Sequence, residues 1–339
     1  MTRASYRPSG KFSPIFFLYF LILMIVGAPI ISVAYIYLIH YIPWVYANLF
    51  VAIGCGALVG LGLVLAARLG KVRSPILVLV FTIIAMVFVK YVQWAVYIPL
   101  IFSEVYGFSM TFGERLSEAF YLFRNPDLVL ELAVVINEVG VWAIGDGSVV
   151  NEGLLTAVWI GEFLLMAGLA LSIAHTQPKS PFSEAEGDWY TTMANTLEAD
   201  MPEDVDGMKR NLNDGSVSDL VQLVKAGRSE DPSFLRVTLF QPPQELSMDP
   251  HFMTIDMVMT TGRKQNKQKT KNLVKHMAIE LQNVRDLLAA QEAAYRVIEE
   301  IEEMDEEAAA DQAVVAADVQ IEQEELHDEA DADDFDDED

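Results

Sequence analysis

One cysteine, Cys55, occurs in 339 residues, and it lies inside an apolar run, so no disulfide framework can form. One Cys and five scattered His give no zinc-knuckle spacing either. The signatures of common catalytic machines are missing. There is no Walker A sequence, no Rossmann glycine pattern after a strand, no His-Glu-x-x-His, no Gly-x-Ser-x-Gly and no kinase set. Gly145-Asp146-Gly147 is expected to be a turn, without the paired Asp that an intramembrane aspartyl protease needs. No enzyme activity, cofactor or metal is expected. Basic residues are absent from Glu299 to Asp339, where 21 of the 48 acidic residues fall. The other 27 acids face 23 Lys and Arg, so the net charge of −25 is mainly a property of this tail. Such a tail argues against nucleic acid as a partner, because phosphate backbones need Lys and Arg. Like charges at this density cannot form a core, and its end should be disordered.

What is present in excess is apolar sequence. Residues 1–178 hold almost all the long apolar runs and residues 179–339 most of the charge, so a mean hydropathy of +0.27 averages two unlike halves. That split excludes a single soluble globule. A hydrocarbon core about 30 Å thick needs about 20 apolar residues of helix. Four stretches meet this: Ile15–Ile39, Val45–Ala67, Ile76–Leu100 and Leu154–Ala174. The first is about twice as long as the apolar region of a signal peptide and no small-x-small site precedes a polar region, so it is read as a span.

Orientation follows from Lys and Arg near the span ends. Arg3, Arg7 and Lys11 precede the first span, and Arg68, Lys71 and Arg73 connect the second to the third. His40–Trp44 carries neither Lys nor Arg, and Ser103–Glu152 carries eight acids against Arg115 and Arg124. Both termini are therefore expected in the cytoplasm, with residues 103–152 outside, in a bacterial inner membrane or other plasma membrane. Trp44, Trp94, Tyr97, Trp142 and Trp159 fall near outer helix ends, as an aromatic belt would place them.

Gly56 and Gly60, one turn apart, form a GxxxG ridge that lets another backbone approach closely, within the bundle or across a homo-oligomer contact. Pro29 is expected to kink the first span. Two ionisable residues lie deep in apolar sequence. Lys90 is 15 residues past Pro75, roughly 22 Å from the inner face at 1.5 Å per residue. Glu162 is 13 residues before His175, roughly 20 Å from the same face. A lone charge at mid-membrane costs at least about 2.5–3.5 kcal/mol, and an opposite charge offsets part of that. The two heights predict a Lys90–Glu162 pair with Gln93 one turn away. The pair would fix helix register or serve ion or proton movement; otherwise the two do not meet and Lys90 snorkels outward.

In the outer segment, Gly113–Phe123 places Leu116, Ala119, Phe120 and Phe123 on one face. Asn125-Pro126-Asp127 reads as a helix start with Asn as the cap, and Gly140 as the stop. Two short amphipathic helices are expected as a cap on the bundle or in the interface. Beyond the linker Pro178–Pro181, helical spacing over Asp188–Ala226 precedes two alternating segments, Phe234–Phe240 and His251–Thr261, read as strands joined by a Pro-rich loop. Arg263, Lys264, Lys267, Lys269, Lys271 and Lys275 form a basic cluster. It can touch anionic lipid headgroups, be neutralised by the acidic tail, or form a solvated turn. Val274, Met277, Leu281, Val284, Leu288, Tyr295 and Ile298 follow three-four spacing, which predicts one long helix over Thr270–Met304, in a coiled coil or packed on the strands. Leu288, Tyr295 and Ile298 are the side chains expected to be left for a partner.

The expected fold is thus an all-α polytopic membrane protein. A four-helix transmembrane bundle carries a small α+β cytoplasmic domain, a long C-terminal helix and an acidic disordered tail. Its parts are a cytoplasmic tail over 1–13, the transmembrane domain over 14–178 including the extracytoplasmic helical segment 103–152, an α+β module over 179–269, a long amphipathic or coiled-coil helix over 270–304, and the acidic tail over 305–339. The expected role is that of a membrane-anchored scaffold, sensor or assembly subunit whose partners are the lipid bilayer and further protein subunits or copies of itself. The alternative is a small transporter or channel component built on Lys90 and Glu162. Few intramembrane charges, no repeats and no discontinuous helices favour the first.

Overall fold

The structure, a computed structural model, describes residues 5–42, 45–105, 107, 109–140, 142–144, 148–194, 196–225, 233–244, 247, 249–261, 267–297 and 299–300. The acidic tail, Arg263, Lys264, Ile298 and the Gly145-Asp146-Gly147 turn lie outside them. The chain divides into two compact units, Arg7–Tyr190 and a second comprising Met1–Tyr6 with Thr191–Asp339. The expected boundary at 178/179 therefore moves to Tyr190, because the linker folds onto the helical unit.

In the helical unit, α1 (Ile15–Ile22) passes through a π-helical segment, Leu23–Gly27, into α2 (Ala28–Tyr41). Pro29 cannot donate to the carbonyl of Ile25 and crowds it, and the disturbance takes the form of a widened turn just before the proline. Then follow α3 (Val45–Leu69), α4 (Pro75–Val105), α5 (Phe112–Phe123), α6 (Pro126–Val139), the short hairpin of β1 (Trp142–Ile144) and β2 (Ser148–Val150), and α7 (Glu152–Ala174). Four helices, Ile15–Tyr41, Tyr46–Leu69, Pro75–Ser103 and Glu152–Lys179, are long and apolar enough to cross a membrane. No more than 39% of the apolar window of any of them is buried, and each turns apolar side chains outward, among them Leu18, Leu61, Ile76 and Leu164. Within, α3 packs on α7 and α2 on α4 around Phe16, Leu63, Met86 and Met166.

The hairpin of α5 and α6 differs in detail from expectation. Thr111 caps α5 in a full capping box with Glu114. Asn125 makes no side-chain cap on α6; its amide donates to the Tyr121 carbonyl and closes the end of α5. Of the face expected to lie together, Ala119 is buried and Phe123 half-buried, while Leu116 and Phe120 are exposed; Leu122, outside that face, is buried with Ala95 and Ile98 of α4. Gly140 ends α6 with φ +79°, a conformation that favours glycine. Past a 3-10 turn, Gln177–Lys179, β3 (Phe182–Ser183) pairs with β4 (Asp188–Trp189).

The second unit is a six-stranded antiparallel sheet covered by helices. Its elements are β5 (Thr191–Thr192), β6 (Leu197–Asp200), α8 (Val205–Asp214), α9 (Ser218–Leu223), β7 (Val224–Lys225), β8 (Ser233–Gln241), β9 (His251–Thr261), β10 (Lys267–Ile279) and a helix, α10, over 281–297. Strand order is β10-β9-β8-β6-β7, with β5 pairing β8. Leu235, Val237 and Leu239 stand opposite Met257, Ile255 and Met253. They form the core with Met208 and Leu212 of α8, Leu220 of α9, and Val284 and Leu287 of α10. The two strands and the packing role of the methionines are as the alternation predicts. Short strands at 191–200 are additional. Asp204 caps α8 through the Gly207 amide, and Gly215 stops it with φ +99°.

The helix expected from Thr270 is instead strand as far as Ile279. The reason is visible in the register. The pairing of β10 with β9 shifts between Asn272 and Val274 and again between Val274 and Met277, and His276 has φ +46°. This bulge turns Val274 and Met277, three apart, to the same side and so imitates a helical period. The α10 that follows starts at 281, eleven residues later than the helix expected. On its far edge β10 is closed by the N-terminal residues: Ser5 bridges Met277, and the Tyr6 amide donates to the His276 carbonyl at 2.8 Å.

Candidate functional site

Glycine spacing sets the geometry of the helical unit's interior. Gly56 and Gly60 lie on the face of α3 that meets α7. A Cβ at Gly56 would fall 2.5 Å from the Met166 carbonyl oxygen and 2.9 Å from its Cα; at Gly60 it would fall 3.0 Å from the Ala170 oxygen. Only hydrogen fits there, so the two backbones run in contact. On α7 the stripe Met166, Ala170 and Ala174 is buried, and Glu162 continues it one turn earlier. Close approach of α3 and α7 thereby delivers a carboxylate to the interior.

Lys90 of α4 meets it, Nζ to Oε2 at 3.6 Å, with the side chains 20% and 22% exposed. One turn along α4, Gln93 is 1% exposed and donates through Nε2 to Cys55 Sγ at 3.4 Å. Its Oε1 is buried without a hydrogen-bond partner. Ser32 of α2 is fully buried and donates to the Val89 carbonyl at 3.3 Å. Each of the four apolar helices thus sends at least one polar group to the same level: Ser32, Cys55, Lys90 with Gln93, and Glu162. Tyr91 adds a hydroxyl that donates to the Phe123 carbonyl of α5 at 2.6 Å. Chemically, the layer can balance two charges in an apolar surround, fix helix register, and offer hydrogen-bonding groups to a proton or a small polar guest. The sequence shows Lys90, Glu162 and Gln93 as candidates. It gives Ser32, Cys55 and Tyr91 no distinction, since a small polar residue in an apolar helix often bonds its own backbone, as Thr82 does to the Val78 carbonyl.

A second cluster sits at the opposite end of the same unit. Glu184 accepts from Ser9 Oγ and lies 3.4 Å from Arg73 Nε and 3.5 Å from Lys11 Nζ. The Ser9 hydrogen bond, then Arg73 and Lys11, hold its carboxyl below the usual carboxylate range. Arg73 lies over the Phe182 ring at 4.1 Å, Phe182 packs edge-on against Trp189, and the Trp189 indole donates to the Arg68 carbonyl at 2.9 Å. These contacts tie residues 7–13, the α3–α4 connection and the segment after α7 into one knot.

In the second unit, Lys267 opens β10, and Lys269, Lys271 and Lys275 are exposed along that strand rather than on a turn. Leu288 packs partly against the sheet's own core, and Tyr295 is exposed. His276 is half-buried beside Phe240 and Tyr6; burial first, then Lys275, push its imidazole down to about 4, against a smaller opposing pull from Asp256. Protein-family models, curated proteins and solved structures were all compared with the chain, and none matches.

Proposed function

We propose that the chain is an integral membrane protein that works as a scaffold, sensor or assembly subunit: its four apolar helices anchor it, and its sheet unit recruits other protein chains. The outward-facing apolar surface of those helices supports insertion, since side chains such as Leu18, Ile25, Ile30, Leu61, Ile76 and Leu164 would otherwise be exposed to water. The distribution of Lys and Arg supports both termini in the cytoplasm and Ser103–Glu152 outside. The single observation that carries the anchor reading is the closure of the interior. Gly56 and Gly60 seat directly on the backbone of α7, and the two buried charges neutralise one another rather than standing free. Among the described residues of the sheet unit, α10 runs beyond its buried Gln291 with Tyr295 and Val297 exposed, a surface suited to a second copy or another subunit.

Transport or channel function is the second reading, and one observation favours it: Gln93 Oε1 is buried without a partner in a layer fed by all four helices. Native mass measurement of the full chain in mild detergent, beside an ion-flux assay in vesicles, separates the two. A homo-oligomer or mixed complex without flux supports the scaffold. A monomer with flux that is lost in Glu162→Gln replaces it with the transporter.

A further inference from the structure

The α5–α6 hairpin does not sit beyond the ends of the apolar helices. Its tip is anchored part-way down α4. Phe123 meets the rings of Phe88 and Tyr91 at 5.9 and 5.5 Å, and the Tyr91 hydroxyl donates to the Phe123 carbonyl. The open end of the hairpin is high. Phe112 packs on Tyr37 near the end of α2, Arg115 is held by Tyr41 and Tyr37, and the Asn151 amide donates to the Glu138 carbonyl at the start of α7. Phe88 and Tyr91 lie 13 and 16 residues past Pro75, roughly 20 and 24 Å along α4. Against a hydrocarbon core about 30 Å thick, the tip is then about 6–10 Å below the outer boundary.

Exposure along α4 changes at this level. Ile76, Leu79, Val80, Ile83, Ile84 and Val87 are exposed, and from Phe88 to Ser103 no residue is. The hairpin takes over the outer surface there, and its exposed side carries Leu116 and Phe120 on α5 and Leu130 and Val134 on α6, beside Glu118, Arg124, Asp127 and Glu131. Much of the backbone of the tip turn is bonded within the protein. The Arg124 amide bonds the Phe120 carbonyl, and the Asn125 amide bonds the Leu122 carbonyl. Asn125 Nδ2 satisfies the Tyr121 carbonyl, and Tyr91 satisfies that of Phe123. Pro126 has no N–H to satisfy, and the Asn125 carbonyl accepts from Leu128 and Val129. Irregular backbone at membrane depth is tolerated only when its polar groups find protein partners in this way. The Arg124 guanidinium lies back over the Phe120 ring, as a snorkelling side chain near an interface does.

We infer that residues 111–139 form a re-entrant helical hairpin whose outward side chains lie against lipid acyl chains, its tip in the outer leaflet beside the level of Lys90 and Glu162. The inference rests on the membrane reading and adds to it a lipid-facing surface in a segment whose charge marks it as extracytoplasmic. Nitroxide labels on single added cysteines test it in the full chain, reconstituted in phosphatidylcholine–phosphatidylglycerol vesicles; the native Cys55 is buried and stays unlabelled. The sites are L116C, F120C, L130C and V139C, with I83C as the lipid control and K209C as the water control. Collision with oxygen should exceed collision with a water-soluble nickel chelate at Phe120 and Leu130. The ratio should fall from Phe120 to Leu116 and from Leu130 to Val139, since each pair climbs away from the tip; a helix lying flat in the interface would give no such gradient. Nickel exceeding oxygen at Phe120 and Leu130, with Ile83 lipid-like, overturns the hairpin alone. Low collision with both reagents means a protein chain covers the surface and overturns lipid as its partner. Nickel access at Ile83 overturns the membrane reading itself.

Discussion

Removing one charge of the Lys90–Glu162 pair should cost more than removing both. Glu162→Ala leaves Lys90 four-fifths buried in an apolar surround with no carboxylate at 3.6 Å. A lone intramembrane charge costs at least about 2.5–3.5 kcal/mol. Since each side chain keeps about one-fifth of its exposure, the lower end applies, and a loss of about 2.5 kcal/mol is expected. For a unit of this size, about 2–4 °C per kcal/mol converts this to a Tm lower by roughly 5–10 °C. Adding Lys90→Met removes the orphaned charge and keeps an unbranched apolar side chain of similar length, so most of the loss should return. Thermal unfolding in mild detergent, followed by tryptophan fluorescence, reads this directly. Single losses that add within about 0.5 kcal/mol in the double variant would show that the two residues act independently and would refute the pairing.

Gly56→Val drives a side chain into the Met166 backbone and should destabilise by about 1–3 kcal/mol, whereas Gly54→Ala, with nothing within 4 Å, should be neutral or stabilising; equal effects in the same unfolding assay would place the helix contact elsewhere. His276 is neutral in the folded sheet because its value is pushed from 6.5 to about 4. Its contribution is therefore complete above pH 6.5 and is lost as pH falls toward 4; protection factors at β9 and β10, corrected for the pH dependence of intrinsic amide exchange, should fall over that window, and His276→Gln should flatten the response. Tyr295→Asp should leave the unfolding transition in place and reduce the assembled mass by light scattering, while Leu288→Asp should lower sheet-unit stability because Leu288 packs on the core. An unchanged mass with Tyr295→Asp would exclude that end of α10 as a contact.

The four apolar helices are legible in sequence because length and hydropathy of a spanning helix need no tertiary information. Lys90 and Glu162 stand out because charge in apolar sequence is costly wherever it occurs. What escaped the sequence has identifiable causes. The bulge around His276 gives strand β10 a helical spacing, so period alone misassigns Thr270–Ile279. Asn125 offers its side chain to the helix behind it instead of the one ahead, a choice set by where the Tyr121 carbonyl ends up. Ser32 and Cys55 join the polar layer only through which faces of α2 and α3 turn inward, and near-uniform hydrophobicity around those helices hides the faces. The exposed apolar side of α5 looks like a core face in sequence, since apolar spacing marks a face without saying what covers it.

A four-span anchor with the sheet unit in the cytoplasm predicts opposite labelling of its two sides. Single cysteines at Lys209 and Lys271, both exposed in the sheet unit, and at Ser109 before α5, should be tested with a membrane-impermeant maleimide on intact cells and after permeabilisation. Ser109→Cys should label in intact cells, and Lys209→Cys and Lys271→Cys only once the membrane is opened. Labelling of the sheet positions in intact cells, with Ser109→Cys protected, would invert the topology and place the sheet unit outside.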